Sequence, residues 1–507
     1  MVKQHTPSSK LKAGLSILFL AALTIQPIAA VLSPQFPTFL SGVLKDRSRF
    51  LQEQEALRRA TPLWSKAVGL YNTALYRIGV SGSPQAAMVG QDGWAFLGNM
   101  HVSSFDQATK RRVASDAEVD QWIQILQYEA GFAARRGIPF LYVVAPAQST
   151  IYPDKLPAWT GVFKNRQSTF DRVAAAAKAR NLPLIDLRQA LRNGRSTAET
   201  YSPLNSHWND YGVWVAWQRI AAEIGRQKPG ATMAALSPVK SFQTVDAYSE
   251  FGPMLGIAAR NPWIRPVLAE PFPQYYSISP NGSRTLHPGT QSTGLLDLPR
   301  RTETPGSASN LRALVLRDSM GDSLSPYLQA SFRETYQFNH HITSPQAPFN
   351  IPGYIAEYKP DLIIYVMTER YFLLPLGDTV FWKAADTFDR APVASEQIWP
   401  NALGTGTIEF AGDVTVSKPT LVKLPAGTAN AKSRVFKVSL QGEADGALYI
   451  SYVVAGKTVE NWHAFGSGIS EIYVQMPSAV DGEHIWMARD TTKGSLTLKQ
   501  LALRAEP

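Results

Sequence analysis

Ser319, His207 and Asn205 are the residues of this chain whose types and settings allow covalent chemistry. The window LRALVLRDSMGDSLSPYL places Asp318 and Ser319 directly after a short apolar run that reads as a buried strand. A serine at the carboxyl edge of a sheet stands where open α/β folds place their sites. The helix expected next would point free N–H groups at a developing oxyanion. The window is not a G-x-S-x-G elbow. A rival, Ser323, sits in a literal Gly-Asp-Ser-Leu string, but it falls where the first helical turn is expected, so strand geometry favours Ser319. The alternative without chemistry is that Asp318 or Ser319 simply caps that helix.

The second window, YSPLNSHWNDYGVWVAW, sets His207 in a polar loop just before a helix that begins near Tyr211. A loop histidine can reach a bound ester and take the hydroxyl proton of a serine. Such a base needs an acceptor on its other ring nitrogen to fix the tautomer. The residue two positions earlier is Asn205, whose carbonyl oxygen accepts an N–H bond but gives no charge to an imidazolium. Asp210 and Asp318 are the carboxylates considered as substitutes, and the sequence does not place them. The alternative is that His207 and Trp208 only pack the loop.

Elements to carry these windows are legible along the chain. PFLYVVAP, LPLIDL, LRALVL and DLIIYVM read as buried strands, alternating with helices such as DAEVDQWIQILQYEAGFAARRG, with Ser115 or Asp116 as cap and Gly137 as stop. That alternation predicts a mainly parallel sheet covered on both faces, an α/β domain over 86–390. Residues 33–85 read as a helical arm with a break near Thr61-Pro62. Residues 226–310, rich in Pro, Ser, Gly and Thr, read as a long irregular insertion folding over the site. From 393 to 507, short alternating runs split by Gly, Pro and Asp predict a β-sandwich module.

Lys3, Lys10 and Lys12 precede the apolar run from Gly14 to Leu32, broken by Gln26 and Pro27. A basic start followed by an apolar stretch is an export pattern, so residues 1–32 are expected to be a cleaved signal peptide or a retained membrane anchor. Either outcome places the body outside the cytoplasm. The 507 residues contain no cysteine, which excludes disulfides and thiol catalysis. No His ligand spacing suggests a metal, and no cofactor is expected. The net charge of +10 is spread along the chain, without the dense basic run that would suggest nucleic acid.

Several windows together resemble the SGNH-hydrolase-like domain of the alginate O-acetyltransferase family. VGQDGWAFLGN is similar to a Gly-x-x-Gly-Trp-x-Phe turn, and VVAPAQSTIYPDKLP to a strand-Pro-x-x-x-Thr-Ile-Tyr-Pro segment. LIDLRQAL, NSHWNDYG, FGPMLG, VLRDSMGDSLSPYL and PDLIIYVMTERYF follow in family order from Val89 to Phe372. The resemblance implies Ser319 as the acetyl-accepting nucleophile and His207 as the base, with Asn205 where the family has an orienting Asp. Gln148 stands where a Lys is common. Arg370, after Glu369, is expected to hold an anionic sugar or an oxyanion, against the plainer reading of a structural ion pair. Trp208 and Tyr327 join Arg370 as expected substrate-binding residues. Some family members carry a C-terminal carbohydrate-binding β-module, which would make Tyr449, Tyr452, Trp462 and Trp486 stacking groups. The implied setting is the periplasm, with a polysaccharide acceptor and a membrane-bound O-acyltransferase as acetyl donor. Three functions follow: O-acetyl transfer to an exopolysaccharide such as alginate, carbohydrate acetyl-ester hydrolysis by the same residues, or non-catalytic polysaccharide binding, which Asn205 favours.

Overall fold

Short apolar runs become the central strands because both of their faces find cover. The computed structural model describes residues 36–45, 62–163, 166–231, 238–279, 281–289, 298–340, 351–374 and 379–390, the single residues Val31 and Met233, and strands between 397 and 506. One sheet has eight strands: β1 (Phe140–Ala145), β2 (Leu184–Asp186), β3 (Tyr275–Ile278), β4 (Arg284–His287), β5 (Arg300–Glu303), β6 (Ser309–Arg317), β7 (Phe332–Asn339) and β8 (Leu362–Thr368). Their spatial order is β2-β1-β8-β6-β7-β5-β3-β4. The first five are mutually parallel. The last three run antiparallel to their neighbours.

Every residue of β1 is buried. The strand's period of two sends Leu141, Val143 and Ala145 to one core, with Trp208, Trp217 and Val315. Phe140, Tyr142 and Val144 go to the other, with Trp122, Phe132 and Phe170. Each fully buried aliphatic side chain here stabilises the fold by about 1.5–3 kcal/mol. The helix Asp116–Ala134 covers the second face. Ser115 caps it, its hydroxyl accepting from Glu118 N–H while the Glu118 carboxylate accepts from Ser115 N–H. Gly137, at φ 69°, turns the chain out of the helix toward β1.

The fold class is the mixed α/β architecture expected, but the sheet is larger and less parallel. Residues 226–310 are not an irregular insertion. They hold a hairpin, Val239–Ala247 against Asn261–Leu268, and three strands that extend the main sheet. The hairpin's first strand is exposed at most positions, so it lacks the apolar alternation that marks a strand in sequence.

The N-terminal stretch holds helices Phe36–Lys45 and Pro62–Arg77. The expected export segment lies outside the described residues except for Val31. Among the described residues, no helix is long and apolar enough to cross a membrane. Toward the C-terminus lie a five-stranded sheet, including Ser433–Gly442, Gly468–Met476 and Leu496–Glu506, and a four-stranded sheet, including Gly446–Val454, Lys457–Phe465 and His484–Asp490. The five-stranded sheet packs on the α/β domain. Tyr473 meets Phe132 and Phe388 edge to face, and Arg504 donates to Phe388 O. Tyr449 and Tyr452 are buried, which corrects their reading as sugar-stacking groups: they pack inward. The side chains of Trp462 and Trp486 lie outside the described residues.

Candidate active site

The serine side of the site grows out of two neighbouring parallel strands. β6 and β8 pair in register up to Arg317 and Val366, so both end at the same edge. Asp318 follows β6 and ties the two strands together. Its Oδ2 accepts from Thr368 N–H at 2.7 Å and Thr368 Oγ1 at 2.6 Å, and its Oδ1 from Met320 N–H at 2.9 Å. His340 Nε2 lies 3.6 Å from the same carboxylate. Burial acts to raise the Asp318 carboxyl, but His340, Thr368 and the Arg370 charge hold it well below the usual carboxylate range. Ser319, half-buried, opens a 3₁₀ turn, Ser319–Gly321. The helix expected after the serine, Ser325–Ser331, begins only beyond this turn. Met320 N–H is taken by Asp318 Oδ1, and Gly321 N–H by Asp318 O, so this turn does not present the free N–H pair that the sequence suggested.

The histidine side is a loop held in place from several directions. Asn209 caps the helix Asp210–Gln227, accepting from Gly212 N–H at 2.9 Å. Gly212 is required there because a Cβ would stand 2.1 Å from Thr200 O. Trp208, fully buried, donates its indole N–H to Met320 O at 3.1 Å and so joins the two halves. Gln148 donates to Ser202 O at 2.8 Å and braces the start of the loop.

These elements bring Ser319 Oγ to 2.9 Å from His207 Nε2. His207 Nδ1 lies 2.9 Å from Asn205 Oδ1, which also accepts the His207 backbone N–H at 3.0 Å. With Nδ1–H donated to an amide oxygen, Nε2 is the unprotonated nitrogen facing the serine hydroxyl. That is the geometry needed for the imidazole to take the hydroxyl proton. Ser323 is not the serine on this ring.

Neither of the substitute acids considered from the sequence reaches His207. Asp210 pairs with Arg265 at 2.5 Å, and Asp318 is spent on Thr368 and Met320. The carboxylate beside the ring is Glu250, with Oε2 3.5 Å from Nδ1. The sequence reading missed it. Its only local signal was its place directly before FGPMLG, a window matched for family order and not for chemistry.

Trp208 and Tyr327 are corrected as substrate-binding residues. Both are buried in the same core, where Tyr327 packs edge to face on Phe272, and neither offers surface to a bound molecule. Arg370 is partly exposed and lines a cavity of about 480 Å³ together with Ser206, Gln148, Thr150 and Glu369; Ser319 and His207 are not in its lining. It does not pair with Glu369. Its guanidinium lies over the Tyr371 ring, while Glu369 accepts from Thr150 Oγ1. Burial pushes the Glu369 carboxyl up to about 7, against the lowering effect of its hydrogen bonds. The His101 imidazole is lowered by burial and by the Arg370 charge, while the Glu250 charge and an Ala86 backbone bond act the other way.

Residues 87–295 match the family model described as SGNH hydrolase-like domain, acetyltransferase AlgX. The matched segment contains His207, Asn205 and Glu250 and ends before Ser319. No curated protein matches the chain. Among solved structures, AlgX of Pseudomonas aeruginosa is 12% identical over 83% of this chain and 95% of its own, with a TM-score of 0.47. The O-acetyltransferase domain of Pseudomonas putida AlgJ is 16% identical over 60% of this chain and 99% of its own, TM-score 0.37. PatB1 of Bacillus cereus is 15% identical over 57% of this chain and 97% of its own, TM-score 0.40. Through residues 87–295, the chain is similar to the AlgX family of SGNH hydrolase-like acetyltransferases.

Proposed function

We propose that this chain is a polysaccharide O-acetyltransferase of the cell envelope that carries acetyl on Ser319. The observation that carries the reading is the 2.9 Å contact between Ser319 Oγ and His207 Nε2, on a ring whose other nitrogen is held by Asn205. In the first half-reaction the Ser319 Oγ–C bond forms and the donor's bond to acetyl breaks. The hydroxyl proton passes to His207 Nε2 and then to the leaving group. In the second, a sugar hydroxyl gives its proton to His207 and attacks the acetyl carbon, and Ser319 leaves and recovers its proton.

The family resemblance supports transfer over hydrolysis, and the cavity lined by Ser206, next to the base, has a volume in the range of small-ligand pockets. Arg370 stands in its lining, placed for an anionic acceptor such as a uronate polymer, of which alginate is one. The basic, apolar start of the chain supports export to the periplasm. The family resemblance supports a membrane-bound O-acyltransferase as the source of acetyl.

The test is acetate release from a chromogenic acetyl ester by wild type and Ser319→Ala, followed by addition of oligosaccharide acceptors. Ser319-dependent release with acetylated oligosaccharide supports the transferase. Release without acetylated product makes the chain an esterase. No Ser319-dependent release leaves the non-catalytic reading.

A further inference from the structure

Asn205 can orient His207 but cannot neutralise it, and the molecule places a charge elsewhere. We propose that Glu250 supplies the negative charge that supports the His207 base, while Asn205 supplies the orientation. Two residues thereby share what one aspartate does in a serine triad. The inference rests on acyl transfer at Ser319 and goes beyond it by assigning a positioning residue to the base.

The placement of Glu250 is built and not incidental. Its Oε2 accepts from Ser206 Oγ at 2.6 Å and from Ser206 N–H at 2.9 Å, and stands 3.5 Å from His207 Nδ1. Ser206 Oγ lies 3.5 Å from that same nitrogen. The segment bearing Glu250 is fastened to the histidine loop. Phe251 N–H donates to Leu204 O at 3.1 Å, and Asn205 Nδ2 donates to Tyr248 O at 3.2 Å. Asn261 Nδ2 donates to the same Tyr248 carbonyl at 3.0 Å, and Phe251 is fully buried. These contacts also account for the amide at 205. An aspartate there would turn an acceptor toward the Tyr248 carbonyl, with no N–H to offer.

When His207 takes the serine proton it becomes a cation. A carboxylate 3.5 Å away in a partly dry setting stabilises that cation, and a neutral amide does so far less. Glu250 is available as an anion. Burial alone acts to raise its carboxyl, but His207 and the two Ser206 hydrogen bonds hold it at about 2. Among the described residues, the His101 imidazole feels the charges of both Glu250 and Arg370.

The test reads the reactivity of Ser319 directly, through labelling by phenylmethanesulfonyl fluoride followed by intact mass. In that reaction the Ser319 Oγ–S bond forms, the S–F bond breaks, fluoride leaves and the proton passes to His207. Glu250→Gln is expected to slow labelling by about 10²-fold. That is less than the ~10⁴ that Asp→Asn costs kcat in a serine protease, because Asn205 still fixes the tautomer. Glu250→Asp should lose less. Labelling of Glu250→Gln at the wild-type rate, or of Glu250→Asp no faster than Glu250→Gln, would overturn the inference. Glu250-dependent labelling without any acetylated oligosaccharide would sink the transferase reading and leave this one standing. A wild type unlabelled at Ser319 would sink both.

Discussion

Ser319 and His207 meet at one contact but are held by different means. Around Ser319 the chain is fixed by the sheet. Asp318, buried, follows one of two parallel strands and is bonded to Thr368 at the end of the other and to Met320 in the turn. Around His207 the chain is fixed by loops, through Asn205, Ser206 and the Tyr248–Phe251 segment. The difference teaches that the nucleophile's position is a property of the fold, whereas the base's support is a property of contacts added to it. Substitutions on the serine side should therefore cost stability first, and those on the histidine side should cost reactivity first.

The largest effect expected is from Asp318→Ala. It strands the Thr368 and Met320 donors and removes the carboxylate 3.6 Å from His340. A loss of about 3 kcal/mol is expected in urea unfolding, whereas Asn205→Ala, which removes the bonds to Tyr248 O and His207, should cost about 1 kcal/mol and slow Ser319 labelling. Equal destabilisation by the two would break the comparison. Next is Gly212→Ala, which sets a methyl group against Thr200 O at the start of the helix behind His207. It should cost about 1–3 kcal/mol, read as a lower Tm.

A pH profile sharpens the contrast between carboxylates. Asp318 is held low in the fold, so the unfolded chain binds more protons near that pKa, and its contribution to stability is lost as pH falls below about 4. Glu369 is raised to about 7, so the folded chain keeps the proton longer and stability falls as pH rises from about 4.3 to about 7. Glu369→Gln should flatten that fall in denaturant midpoints taken across the range, and an unchanged slope would contradict the assignment. The smallest effect expected is from Trp208→Phe, which removes one buried hydrogen bond between the halves. It should cost about 1 kcal/mol in urea unfolding, with the fold intact.

The same contrast explains what could be read from the sequence. The four strands seen there are runs of buried aliphatics, and Ser319 could be placed because it ends one of them. β7 escaped because its interior carries polar residues. Thr335 and Gln337 are fully buried, satisfied by Thr302 at 2.6 Å and by Arg317 and Ser325 at 2.8 and 2.9 Å, so the strand lacks an apolar run. His207 and Asn205 were legible as neighbours in one window. Glu250 was not, because it lies 44 positions from Ser206 and arrives by the folding of the Tyr248–Phe251 segment onto the loop. Trp208 and Tyr327 misled in the other direction. Their places in the site windows suggested contact with substrate, and both are core.

The most direct test of the central claim is to incubate the protein with an acetyl ester, quench in acid and locate the acetyl group by peptide mass. One acetyl group is expected on Ser319 in wild type, and none there in His207→Ala, which lacks the base, or in Ser319→Ala. Acetyl found on Ser323 or on no serine, with acetate release unaffected by Ser319→Ala, would contradict it.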